Sequence, residues 1–320
     1  LAGGGSHFDL GEAGKLRVAR FEFALRGAED FVLPAFPGAL LRSVLGAALR
    51  RVSCGLRRLA CERCPARRGC AYGYLFEGFR PPQAEAMRKA DRVPHPFALA
   101  VGAQRESGGL RFGVTLFGRG IEFFPHLVLA VQEMGAMGLG RPRVRFVLES
   151  VRDAEGKELL GSRGLDLSFR DLTLEEVARP NEPEAERLAL CFLTPVRLKL
   201  GGRLVRQAPA FGVVAQNLVR RLGALAHFHQ GLRAAWNPQD ITTRCARVKT
   251  VSGSVAWVEF SRYSARQRSE LRMGGLVGQV VFAGEGLGYF LPLLRAGEWT
   301  QLGKGTSFGF GSYAVRRVAG

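Results

Sequence analysis

No apolar run in the chain approaches the roughly 18 residues that a membrane-spanning helix needs, so a transmembrane function is not expected. The start shows no signal-peptide pattern, and LAGGGSH reads as a disordered leader or a cloning remnant. A cytoplasmic location is expected. Acidic residues are scarce, 28 against 46 Lys and Arg, and the net charge is +18. That excess suits a polyanion, and nucleic acid is the usual one. A membrane surface fits less well, because no single amphipathic basic helix carries the charge. Lysine is scarce too: only six of the basic residues are Lys. Arginine suits bidentate phosphate contact and base stacking. The G-x-x-x-x-G-K-[ST] order of an ATP-binding loop is absent, which argues against a nucleoside triphosphate. At 320 residues and 47% hydrophobic, the chain can build two domains with substantial cores.

Apolar residues alternate from Leu16 to Arg26, with Phe21, Phe23 and Leu25 opposite Glu22 and Arg26, which predicts a strand. After Pro-Ala-Phe-Pro-Gly, the spacing of Leu40, Val44, Ala47 and Ala48 predicts a helix over Ala39 to Val52, with Arg42, Arg50 and Arg51 on another face. Ala71 to Pro96 reads as loop, and His95 between two prolines as a surface turn residue. Strands follow at Phe97 to Gly102 and Leu110 to Phe117. A helix then carries Leu127, Ala130, Val131, Met134 and Met137 as core, and a strand carries Val144, Phe146 and Leu148.

Asp171 to Glu186, acidic and proline-containing, is the expected linker. Beyond it come a strand at Thr194 to Leu200 and a helix with Phe211, Val214, Ala215, Leu218, Leu222 and Leu225 as its stripe. Strands at Ser254 to Phe260 and Leu276 to Phe282 flank a basic connector, Arg262 to Gly275. A short helix at Leu287 to Arg295, interrupted at Pro292, and a strand through Val315 close the chain. Each half therefore reads strand, helix, two strands, helix, strand. That is an α+β fold of two tandem ferredoxin-like (RRM-like) domains, 1–180 and 181–320.

Four of the six cysteines, Cys54, Cys61, Cys64 and Cys70, fall within 17 residues in the order C-x6-C-x2-C-x5-C. Without a secretion signal, such a cluster points to metal rather than disulfides. Thiolates suit a structural Zn²⁺ or an iron–sulfur cluster, and the expected cysteine-rich insertion covers about 54–96 of the first domain. Cys191 and Cys245 read as ordinary core residues.

Near the end lies LGKGTSFGFGSY, Leu302 to Tyr313. Gly303, Gly305, Gly309 and Gly311 permit positive φ and close backbone approach. Successive N–H groups there can form an anion-binding concavity, with Lys304 adding a point charge.

The run W-x-x-L-G-K-G-T-S-F-G-F-G-S-Y, preceded by R-Y-S-x-R-Q-x(6)-G-G-L-x-G, resembles the CRISPR-associated endoribonucleases that process precursor CRISPR RNA, members of the RAMP superfamily. In the first half, L-P-x-F-P-G, C-x-x-C-P-x(4)-C-x-Y-G-Y-L-F-E, P-H-P-F-x-L and G-L-G-R-x-R agree. The order of these motifs, from about Leu16 to Tyr313, is more specific than any one of them. The resemblance implies binding of CRISPR repeat RNA and its cleavage without a catalytic metal. The 2′-hydroxyl attacks the neighbouring phosphate, leaving a 2′,3′-cyclic phosphate and a 5′-hydroxyl. Such chemistry needs a base, an acid and cations for the phosphorane charge. The family often draws its histidine from helix one, and here Ala39 to Val52 contains none. The expected catalytic group therefore comes from His229 and His227. The expected RNA contacts are Gly303, Lys304, Gly305, Thr306 and Ser307 of the glycine loop, Arg262, Tyr263, Arg266, Gln267 and Arg268 of the connector, and Arg141 and Arg143 of the first domain. A non-catalytic subunit holding guide RNA beside other CRISPR effector subunits is the alternative, and a generic RNA-binding protein with a structural metal is a third reading.

Overall fold

The computed structural model describes residues 7–318 except 28–33, 35, 80–92, 103–108, 141–142, 180–185 and 265–268, and the side chains of 261–272 lie outside the description. The LAGGGSH leader is thus almost wholly outside it. Two compact bodies emerge. Arg17–Leu172 with Phe228–Gly231 form the first; the segment up to Leu16, Thr173–His227 and the chain from Leu232 onward form the second.

In the first body the elements run β1 (Arg17–Gly27), α1 (Gly38–Ser53), β2 (Phe97–Val101), β3 (Gly109–Phe117), α2 (Phe124–Met137) and β4 (Phe146–Asp153). A small hairpin follows, β5 (Leu160–Gly161) with β6 (Gly164–Leu165). The main sheet is ordered β2-β3-β1-β4 with antiparallel neighbours, the ferredoxin-like arrangement expected from the element order. The alternation along β1 sets its inner face. Phe23 stacks on its cross-strand partner Phe112 at 5.3 Å, and Phe21 on Phe124 of α2 at 3.9 Å. Helix α1 adds Leu41, Leu45, Ala48 and Leu49 to the same core, and α2 adds Leu127, Val131 and Met134. The methionine stripe is packing. The α2 helix has Pro125 in its first turn, where a missing N–H costs nothing, and stops at Gly138, φ 80°.

The expected linker contains structure of its own: β7 (Leu172–Thr173), which pairs with β1, and α3 (Leu174–Ala178). A reciprocal capping box starts α3, with Glu176 N–H donating to Thr173 Oγ1 and Thr173 N–H to Glu176 Oε2. The second body continues with β8 (Arg187–Val196), β9 (Lys199–Leu200), β10 (Arg203–Leu204), α4 (Phe211–Gln230), α5 (Pro238–Cys245), β11 (Lys249–Ser264), β12 (Ser269–Ala283), α6 (Leu291–Thr300) and β13 (Tyr313–Arg317). Its sheet is ordered β11-β12-β8-β13, again ferredoxin-like. The predicted α4 stripe, Phe211 to Leu225, is buried throughout.

Several expectations shift. The strand after the linker is Arg187–Val196, buried through Leu188, Leu190 and Phe192, rather than Thr194 to Leu200. The stretch Arg262 to Gly275 is no plain connector. Its ends belong to the paired strands of a long hairpin, β11 with β12. Pro292 does not interrupt a helix; it sits in the first turn of α6. The segment up to Leu16 groups with the second body. There Phe8 packs on Trp236, Tyr289 and Phe290 and bonds the Tyr289 carbonyl.

Candidate active site

Between Cys70 and Gly78 the first body makes a wide, π-helical turn, Gly73–Glu77, closed by Gly78 at φ 62°. Tyr72 and Phe76 lie one turn apart and receive two arginines of α1. The Arg50 guanidinium stands 5.7 Å over the Tyr72 ring, and that of Arg42 5.2 Å over Phe76. Gly46, midway between those arginines, gives the room; a Cβ there would meet the Phe76 ring at 2.8 Å. Tyr74 turns elsewhere, to Phe123 and His229.

His229 lies in the last turn of α4. Its Nε2 is 2.8 Å from the Pro94 carbonyl and its Nδ1 3.0 Å from the Tyr74 hydroxyl. A carbonyl can only accept, so Nε2 carries the proton. In the neutral ring Nδ1 then accepts the hydrogen of Tyr74. This is the logic of a base oriented by a third group. Burial pushes the Tyr74 phenol up to about 12; the guanidinium of Arg119, 5.4 Å over its ring, pulls the other way. Arg119 pairs with Glu122 at 3.4 Å, and His126 is exposed beside Phe123. Gly118 makes the docking of His229 feasible. Its φ is 51°, and a Cβ would stand 2.5 Å from the His229 carbonyl oxygen. His229 is 6% exposed and His227 7%. The two stand two positions apart on α4, a spacing that points their side chains in different directions.

His95 is not a loose turn residue. It is half-buried, its Nδ1 is 3.0 Å from the Leu75 carbonyl, and its Nε2 is 3.0 Å from Nη2 of Arg42. A guanidinium cannot accept, so Nε2 accepts from Arg42 and Nδ1 donates to Leu75.

In the second body the four loop glycines all hold φ between 82° and 86°. Gly303 stands where a side chain would strike the Arg197 carbonyl, and Gly311 where one would strike that of Leu302. The loop is laced to its own body: Lys304 N–H bonds Arg197 O, Gly311 N–H bonds Pro195 O and Leu302 N–H bonds Gly311 O, while Phe308, Gly309 and Phe310 bond within the loop. These six of its twelve amides are thus spent on protein carbonyls, which makes a tight pinned turn of the expected open run of N–H donors. Thr306 and Ser307 are buried, and Lys304 is exposed. Arg143 is exposed at φ 51° in the turn before β4. Arg141, Arg266, Gln267 and Arg268 lie outside the described residues, as do the side chains of Arg262 and Tyr263.

Cys54, Cys61, Cys64 and Cys70 lie between α1 and β2, all unpaired thiols and all half-buried. Among the described residues no three His, Cys, Asp or Glu side chains converge as a metal site, so the thiols as placed do not enclose an ion. Partial burial pushes the Cys61 thiol up, with smaller contributions from Glu77, Cys54 and Cys70 against Arg50. Cys191 is half-buried, its Sγ 3.4 Å from Gln279 Oε1, and Cys245 is buried. Among the described residues no helix is long and apolar enough to cross a membrane.

Residues 190–313 match the family model described as CRISPR-associated endoribonuclease Cas6, and residues 16–167 match one described as an N-terminal domain. The C-terminal part of the chain, residues 190–313, thus carries a Cas6 domain. An uncharacterized protein of Archaeoglobus fulgidus is 23% identical over 279 residues, 82% of this chain and 93% of that protein. Among solved structures, Thermus thermophilus Cas6 is similar over 94% of this chain and 99% of that one, at 18% identity and TM-score 0.54. A Cas6 product complex gives 18% identity, the same coverage and a TM-score of 0.55. A partial Cas6-RT-Cas1–Cas2 complex gives 13% identity and a TM-score of 0.54, covering 95% of this chain and 46% of that one. At these identities the structures show a shared fold, the tandem ferredoxin-like pair. Tyr74, Pro94 and Arg119 were missed as site residues in the sequence. The Y-G-Y-L-F-E motif marked the first of them without giving it a role.

Proposed function

We propose that this chain, with its Cas6 domain at residues 190–313, is an endoribonuclease that binds CRISPR repeat RNA and cleaves the precursor by attack of the 2′-hydroxyl on the adjacent phosphate. The observation that carries it is the Tyr74–His229–Pro94 chain of hydrogen bonds beside the Arg119 guanidinium. In this reading Tyr74 is the group that touches the RNA. As its hydroxyl proton passes to His229 Nδ1, its oxygen takes the proton of the 2′-hydroxyl. The O2′–P bond forms and the P–O5′ bond breaks, leaving a 2′,3′-cyclic phosphate. The leaving 5′-oxygen takes a proton from water. Arg119 offsets charge on the phosphorane. Lys304 and the hairpin arginines supply backbone contacts, and other CRISPR proteins are expected partners, as in the similar Cas6-RT-Cas1–Cas2 assembly.

The test is incubation with cognate repeat RNA in EDTA, beside a substrate with a 2′-deoxy group at the scissile nucleotide. Cleavage at one site, abolished by the deoxy substitution, is expected. Cleavage of both substrates would reject the mechanism. The reading as a non-catalytic guide-RNA subunit has one observation in its favour, the burial of both His227 and His229. Tight binding without cleavage would select it.

For the cysteines we propose uptake of one structural Zn²⁺, supported by their spacing and requiring the loop to close from the arrangement described. Elemental analysis should find about one zinc per chain, lost in Cys61→Ser. Iron with acid-labile sulfide would assign a cluster instead, and no metal would overturn both.

A further inference from the structure

The stretch that holds the four cysteines carries charge that the cysteines do not explain. From Cys54 to Cys70 there are five arginines, Arg57, Arg58, Arg63, Arg67 and Arg68, against one acid, Glu62. Two of the five brace the loop. Arg57 Nη2 donates to the Arg51 carbonyl at 2.9 Å, satisfying an orphan carbonyl in the last turn of α1. Arg67 Nη1 donates to the Glu62 carbonyl at 2.6 Å and stands 5.5 Å over the Phe79 ring. Arg58, Arg63 and Arg68 do neither. All three are exposed, and their side chains have no ion pair or hydrogen bond among the described residues. Arg63, Arg67 and Arg68 line one open concavity with Glu62, Cys64 and Pro65. Exposed like charges gathered in one short loop repel one another, and an anionic ligand relieves that repulsion. The contacts that brace the loop thus use Arg57 and Arg67 and leave the other three to solvent.

We propose that this loop is a second RNA surface, in the first body, which grips the phosphate backbone through Arg58, Arg63 and Arg68 without reading sequence. The inference rests on the reading of the chain as an RNA-binding endoribonuclease. The surface continues along α1, where Arg50 and Arg42, two turns apart, are stacked over Tyr72 and Phe76. Phosphate is the ligand because arginine offers only donors, arranged as a planar fork that matches its oxygens. In A-form RNA the major-groove base edges lie too deep and narrow for side chains to read, so sequence should not matter along the stem.

The experiment measures the salt dependence of repeat-RNA binding by the full chain, with an unrelated RNA of equal length in parallel. Replacing Arg58, Arg63 and Arg68 by Gln should lower the slope of log K against log salt by about 2–3 units, equally for both RNAs. The triple Arg→Lys variant should keep the wild-type slope. On the wild-type protein, bound RNA should shield these three arginines from an arginine-modifying dicarbonyl, a readout that needs no variant to fold. An unchanged slope in the Gln variant, or modification undiminished by saturating RNA, overturns the proposal. A wild-type protein that binds neither RNA overturns the endoribonuclease reading itself, so the two failures are distinct.

Discussion

The Tyr74 hydroxyl donates to His229 Nδ1 at 3.0 Å, while His229 Nε2–H is fixed on the Pro94 carbonyl 2.8 Å away. The pair joins a half-buried phenol to a buried imidazole whose tautomer is set by backbone. If the two work as one relay, removing either should cost the same. We expect Tyr74→Phe and His229→Ala each to lower the single-turnover cleavage rate about 10²- to 10⁴-fold, with RNA affinity unchanged. The double variant should be no slower than the worse single one. Wild-type cleavage by Tyr74→Phe would exclude the relay.

Gly118 supports that pair from behind. An alanine there meets the His229 carbonyl and must also hold φ 51°, in the left-handed region. The backbone cost alone is about 1–2 kcal/mol, and the clash is with backbone that cannot swing aside. Gly118→Ala should therefore lower the melting temperature and also lower cleavage among the molecules still folded. His126→Ala, an exposed change nearby, should do neither. Equal melting of Gly118→Ala and wild type would count against this packing.

Much of this architecture is legible in the sequence because it depends on periodicity. The alternation of Phe21, Phe23 and Leu25 and the stripe of α4 encode burial directly, and burial is what orders both sheets. The β11–β12 hairpin was half hidden because the stretch from Arg262 carries charge where a buried strand would carry apolar residues. Helix α5 was missed as well. It is short, and its signals are only Asn237 accepting the Gln239 and Asp240 amides, with Pro238 in the first turn. The site was legible only in part. His229 stood out by residue type, but its partners come from Tyr74, 155 positions away, and from a proline carbonyl, which has no side-chain signature. His95 looked like turn punctuation because its partner, Arg42, is brought to it only by the packing of α1.

Alkaline titration offers a separate check on the turn that presents Tyr74. Burial pushes both Tyr72 and Tyr74 up to about 12, from an ordinary value near 10. Below about pH 10 both phenols are protonated whether folded or not, and their contribution is fully present. As pH rises from about 10 towards 12 the unfolded chain loses these protons first, and stability falls. For Tyr74 the loss should approach roughly 1–2 kcal/mol. Solvent screens the more exposed Tyr72 and lessens its share. Denaturation midpoints across this range should decline less steeply in Tyr74→Phe than in wild type. Parallel declines would mean that Tyr74 is not held in an environment hostile to its phenolate.

The glycine loop separates what contacts a ligand from what holds the turn. Lys304 is exposed at its apex, whereas Thr306 and Ser307 are buried within it and Gly303 abuts the Arg197 carbonyl. Lys304→Ala should then leave the melting temperature nearly unchanged and lower the salt slope of RNA binding by about 0.7–0.9 units, the value of one phosphate contact. Thr306→Val and Ser307→Ala should behave oppositely, lowering stability with no change of slope among folded molecules, because burying or removing a hydroxyl acts on the fold rather than on counterions. Gly303→Ala combines both effects. It forces φ 84° on an L-residue and pushes the Arg197 carbonyl from the Lys304 amide that bonds it. Should Thr306→Val reduce the slope as Lys304→Ala does, the buried hydroxyl would have to become exposed when RNA binds, and the turn would not be rigid.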